Sequence, residues 1–151
     1  MNKVWIYIKS ILVPVVLGGI VGFITSSFID YNSLQKPPLA PPSILFPIVW
    51  TILYTLMGIS YGRLKSKELT DDKVNMIYYL QLAINLLWSF IFFVFKWRLV
   101  AFLWIILLDI AVIIMIIRFY PKDKIAGVLQ IPYLLWSLFA TYLTLGIYLL
   151  N

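Results

Sequence analysis

Long apolar runs alternate with short charged connections along this chain. Residues 5–29, 43–62, 74–95, 99–118 and 125–149 form five such runs, and Lys9, Asp109 and Arg118 are the only charged residues inside them. A membrane hydrocarbon core about 30 Å thick takes roughly 20 helical residues to cross, so each run is long enough to span. The runs are continuously apolar rather than alternating, and an open sheet cannot satisfy its backbone in lipid. The pattern therefore predicts an all-α fold, an integral membrane bundle of five transmembrane helices forming a single domain over residues 1–151.

The polar positions between the runs set the topology. Lys96-Trp97-Arg98 is short enough to force an antiparallel hairpin between the third and fourth helices. Residues 118–124 carry Pro121 as a stop signal, and residues 63–73 offer Thr70 as an N-cap, with Asp71 and Asp72 suiting the positive end of the helix dipole. Residues 30–42 are the longest irregular link and the one rich in proline. Five spans put the termini at opposite ends. Lys3, Lys9, Arg63, Lys65, Lys67, Lys73, Arg118, Lys122 and Lys124 then share one end, against Lys36, Lys96 and Arg98 at the other. Cations favour the cytoplasmic side, so the expectation is a multi-pass cell-membrane protein with a cytoplasmic N-terminus. The first run lacks a small-residue cleavage site and is read as a mature helix, not a signal peptide.

Composition agrees. The chain is 63% hydrophobic and 12% charged, about half the charged share of a soluble domain. Its net charge of +6 lies at the edges of apolar runs, which points to lipid headgroups and not to nucleic acid. The absence of His and Cys removes thiol chemistry, the usual zinc and haem ligands and the commonest general base. No metal site and no required cofactor are expected. Asp109 is the one acid deep in a span, either a functional charge or a carboxyl hydrogen-bonded to a neighbouring helix. A two-group acid–base mechanism lacks its second group. Binding remains.

Several residues are candidates for that role. Lys36-Pro-Pro-Leu-Ala-Pro-Pro-Ser43 cannot be helical, since each proline restrains itself and its predecessor. It reads as a stiff strap, either a rigid helix start with Ser43 as N-cap or a lid over a cavity. Trp50, Tyr54, Gly58 and Tyr61 share one face of the second helix. Gln81 and Asn85 lie one turn apart on the third, with Trp88 or Ser89 and Phe92, and two amides do not face lipid cheaply. They serve interhelical hydrogen bonds or a ligand. On the fifth, Tyr133, Trp136 or Ser137, Ala140 and Thr144 share a face, and Pro132 is placed to kink the helix near its start. Gly18, Gly22 and Ser26 form a small-residue stripe on the first helix, permitting close approach within the bundle or in a homodimer.

Three separated motifs carry a resemblance over nearly the whole chain: Lys36-Pro-Pro-Leu-Ala-Pro-Pro with Pro47-Ile-Val-Trp50-Thr-Ile-Leu-Tyr54, then Asn85-Leu-Leu-Trp88-Ser89, then Pro132-Tyr-Leu-Leu-Trp136-Ser-Leu-Phe-Ala140. In that order they resemble the TspO/MBR family, the tryptophan-rich sensory proteins related to the mitochondrial translocator protein or peripheral benzodiazepine receptor. The resemblance implies a five-helix, often dimeric bundle with a pocket under the first loop, binding porphyrins such as protoporphyrin IX, cholesterol and benzodiazepine-site ligands. It implies ligand-binding positions at Tyr31, Pro41, Phe46, Trp50, Tyr54, Gln81, Asn85, Trp88, Trp136 and Ala140. It also implies a role for Trp50 and Trp136 in light- and oxygen-dependent porphyrin degradation, which needs no acid–base residue. Two departures stand out: the C-terminal sterol pattern lacks its cation after Tyr148, and Leu39 occupies an often aromatic or polar strap position. The alternative function is a tetrapyrrole or sterol transporter, with Asp109 as coupling group.

Overall fold

A computed structural model describes residues 2–151. The described residues form six α-helices: α1 (Lys3–Thr25), α2 (Leu45–Ser66), α3 (Asp72–Ser89), α4 (Arg98–Phe119), α5 (Lys124–Val128) and α6 (Ile131–Leu150), with short 3-10 turns at Ser26–Phe28 and Tyr31–Ser33. There are five spans because α5 and α6 together make the last one, and each span is long and apolar enough to cross a membrane. The described residues contain no strand.

Local chemistry sets the helix ends, in places differently from the sequence expectation. The Asp71 carboxylate accepts the Val74 N–H at 2.8 Å, so Asp71, not Thr70, caps α3. Asp71 is the stronger acceptor and lies directly before the first helical residue. Ser43 does not cap α2 with its side chain; backbone turns from Pro42 and Ser43 lead into Leu45. The α2 terminus runs past residue 62 to Ser66, where Leu69 N–H bonds to the Leu64 carbonyl and Glu68 N–H to that of Lys65. This is a Schellman ending, with Glu68 in the left-handed region at φ 58°. Beyond α3 the chain continues as a wider π turn over Phe90–Val94. The fifth span breaks at Leu129 and Gln130, and Pro132 sits in the first turn of α6, where its missing N–H costs nothing.

Around the bundle, α1 touches α2 and α3, α3 touches α4, α4 touches α6, and α6 closes the ring with a short contact to α2. The half away from the strap is solidly packed. Met57, Leu64, Val74, Met115 and Phe119 are fully buried there, and Tyr61 stacks on Tyr78 with ring centroids 4.1 Å apart. At that end the Asp123 carboxylate caps α5 through the Ala126 N–H and binds Arg63 at 2.9 Å and Lys67 at 2.7 Å. Lys122 pairs with Asp71 at 2.9 Å. The two basic connections are thereby tied together.

An aromatic cavity under the strap as candidate functional site

Residues 30–42 lie across the other end of the bundle and are held down along their length. Asp30 binds the Arg98 guanidinium at 2.8 Å. The Tyr31 hydroxyl donates to the Pro41 carbonyl and that of Tyr142 to the Pro38 carbonyl, both at 2.6 Å. Gln35 exchanges two hydrogen bonds with the Asn151 amide at 3.1 and 2.8 Å. The Pro37 ring packs where a side chain on Gly146 would stand. Burial raises the Tyr31 phenol above its ordinary pKa, so it stays a neutral donor. Leu39 forms the outer bend at φ 72° and is 84% exposed.

Beneath the strap lies a cavity of about 580 Å³. Eight of the expected site residues line it: Tyr31, Phe46, Trp50, Tyr54, Asn85, Trp88, Trp136 and Ala140. The aromatic rings support one another. Phe46 meets Tyr31 and Trp136 edge-on at 5.0 and 5.9 Å, Trp50 stacks on Tyr54 at 5.6 Å, and Trp88 stacks on Phe92 at 4.8 Å. Among the described residues no Asp, Glu, Lys or Arg lines the cavity. The indole N–H groups of Trp88 and Trp136 are buried without an acceptor among the described residues. Neither N–H is satisfied there, and an unmade buried hydrogen bond is costly.

Two expected positions lie elsewhere. Pro41 does not line the cavity; its carbonyl receives the Tyr31 hydroxyl from outside. Gln81 is fully buried below the floor, drawn there by polar partners. Its Oε1 accepts from the Tyr133 hydroxyl at 2.7 Å, and its Nε2 donates to the Tyr78 carbonyl at 2.8 Å. The chain of bonds continues upward. Asn85 donates to the Tyr133 oxygen at 2.8 Å and accepts from the Tyr54 hydroxyl at 2.6 Å. The two amides thus join α2, α3 and α6, and Asn85 alone of the pair reaches the cavity.

The contribution of α1 went unread in the sequence. Gly18, Gly22 and Ser26 line the cavity, and Gly18 makes room for the Tyr54 ring. The signal was the small-residue stripe itself, which fits a cavity wall as well as a helix contact. Asp109 lies off the lining, at the α4–α6 seam, where the Ser137 and Thr141 hydroxyls both donate to its carboxylate.

Residues 10–150 match the sequence pattern of the TspO/MBR family. The chain belongs to that family. It is 40% identical over 147 residues to the tryptophan-rich protein TspO of Archaeoglobus fulgidus, covering 95% of each chain. It is 32% identical over 136 residues to the protein CrtK of Rhodobacter capsulatus, covering 88% of this chain and 85% of that one. Similarity extends to the human translocator protein, 38% identical over 122 residues, 75% of this chain and 69% of the other. The TspO/MBR match runs through every span, so the strap, the three cavity tryptophans and the amide chain all fall inside it.

Proposed function

We propose that this TspO/MBR protein is a membrane receptor-like protein that binds flat apolar ligands, protoporphyrin IX among them, in the cavity under the strap. The observation that carries the reading is that Trp50 and Trp136 line one cavity without a charged side chain among the described residues. Its volume of about 580 Å³ lies within the range of small-molecule sites, roughly 300–1,000 Å³. Indoles offer flat apolar faces to a tetrapyrrole ring.

The same reading extends to light-driven porphyrin degradation. An excited porphyrin activates dioxygen or takes an electron from an adjacent indole, and neither step needs a general acid or base. Transport as a second reading draws on the name of the human relative. Against it, Asp109 lies outside the lining and is already engaged by two hydroxyls.

Titrating protoporphyrin IX into the purified protein should quench tryptophan fluorescence saturably. Illumination in air should then bleach the porphyrin band faster than in protein-free detergent. The Trp50→Phe/Trp136→Phe variant should bind about tenfold more weakly, about 1.4 kcal/mol, and lose the accelerated bleaching. A double variant that bleaches porphyrin at the wild-type rate removes the chemical role, and one that also binds normally removes the two indoles from the site.

A further inference from the structure

The seam between α1 and α2 is closed at one end and open at the other. Near the basic end the backbones touch: a Cβ on Gly58 would lie 2.5 Å from the Ile11 Cα, and one on Gly62 3.1 Å from the Ser10 Cβ. Thr51 and Pro47 precede Gly58 by seven and eleven residues, and Gly18 and Gly22 follow Ile11 by the same intervals. Those spacings are close to whole helical turns, so all four positions continue the same two faces. Straight, parallel helices would pack them together.

Only the first turn of this continuation is packed. Gly18 lies against the Tyr54 ring of α2, but a Cβ on Gly22 would meet no described atom within 4 Å, and Pro47 and Thr51 are exposed. All four line the cavity. The helices therefore diverge toward the strap, and the cavity continues out between them. From Gly58 to Pro47 is about 16 Å along the helix axis, roughly half the hydrocarbon thickness, so the gap lies in the strap-side half of the bilayer. Its outer flanks are Ile20 and Phe23 on α1 and Ile48 and Ile52 on α2, all exposed and apolar. Lipid tails, not water, meet this opening. The strap end is by contrast shut by the Asp30–Arg98 pair and the bonds of Tyr31, Gln35 and Tyr142.

We propose that ligands reach the cavity sideways from the bilayer, through a slot between α1 and α2 bordered by Gly22, Pro47 and Thr51 and closed below by Tyr54 against Gly18, while the strap stays closed. The proposal rests on the cavity being the binding site. It narrows the ligands to membrane-partitioned apolar molecules, which cross the slot without leaving the lipid phase. It also explains the glycine at position 22, since the absence of a side chain there keeps the slot wide.

The chain has no cysteine, so a single introduced thiol can be modified uniquely. A Gly22→Cys variant in nanodiscs would be tagged with a bulky aromatic thiosulfonate, and association and dissociation of protoporphyrin IX followed by tryptophan fluorescence. Tagging should slow both rates at least tenfold, and a reductant should restore them. A tag that merely crowds the site would instead speed dissociation, and unchanged rates would remove the slot. A Gln35→Cys/Asn151→Cys disulfide, which fastens the strap, should leave both rates at their wild-type values. A tenfold slowing by that disulfide would overturn the proposal in favour of access past the strap. Absence of saturable quenching in the unmodified protein fails the binding site itself and is thereby distinguishable from failure of the slot.

Discussion

Tyr133 is the residue on which the cavity floor depends. Its hydroxyl donates to Gln81 and accepts from Asn85, so one oxygen joins two amides of α3 to α6. All three side chains are buried, at 1%, 0% and 4% exposure. In lipid no water competes for these groups, and none re-solvates them when the bond is lost. Tyr133→Phe leaves the Gln81 carbonyl and one Asn85 donor without their partner at almost unchanged volume. The expected loss is about 1–3 kcal/mol, read as a lower unfolding midpoint in detergent. Porphyrin affinity should fall as well, because Asn85 is then free to rotate away from the Tyr54 hydroxyl it now accepts from. An unaltered midpoint would make the chain of amides an incidental contact.

At the scale of elements, close backbone approach decides where the bundle is tight and where it is open. The Gly58 contact with the Ile11 backbone brings α1 and α2 together at one end. A methyl group there has backbone, not a flexible side chain, as its neighbour, so α1 must move. Gly58→Ala should cost about 1–3 kcal/mol, whereas Gly22→Ala, facing open space, should cost well under 1 kcal/mol. Comparing the two midpoints checks this, and equal losses would contradict the splayed seam. The number and order of spans were legible in the apolar runs, and the strap was legible in its prolines, because both follow from local rules. The break at Leu129 and Gln130 was legible only through Pro132. Asn85 was legible as one of two amides that lipid does not hold cheaply, whereas Trp50, Tyr54, Trp88, Trp136 and Ala140 were legible as positions on shared helix faces and as site positions only through the family resemblance. The placement of Gln81 below the floor was not, since one helical turn separates it from Asn85 and only the position of Tyr133 decides which amide meets the cavity. The role of Gly22 was not legible either: a small-residue stripe reads the same whether a neighbouring helix faces it, as Tyr54 of α2 faces Gly18, or empty space does.

The whole molecule divides into a half that encloses a cavity and a half that is solidly packed. The strap half holds a cavity with no charged side chain among its described lining residues, and a partly empty region of that kind contributes little packing energy. The other half holds the stacked Tyr61 and Tyr78, the buried Met57 and Phe119, and the ionic tie between the connections. Stability should therefore reside mainly in the half away from the cavity, and acid should attack it there. Burial alone would push the Asp123 carboxyl up, but hydrogen bonds from Lys67, Arg63 and the Ala126 N–H outweigh that and hold it well below the usual carboxylate range. Lys122 and the Val74 N–H lower Asp71 in the same sense. A carboxyl depressed in the folded state adds stability above its unfolded pKa, about 3.9, and withdraws it as the pH falls toward the folded value. The midpoint should be level from roughly pH 5 to 8 as far as these groups are concerned, and fall below about pH 4. Asp123→Asn keeps an N-cap acceptor but loses both ion pairs, so at pH 7 it should be less stable by about 1 kcal/mol. Because acid removes the same charge from the wild type, the gap between the two proteins should narrow steadily below about pH 4. A gap that stays constant into acid would mean that the tie between the connections rests on the cap alone.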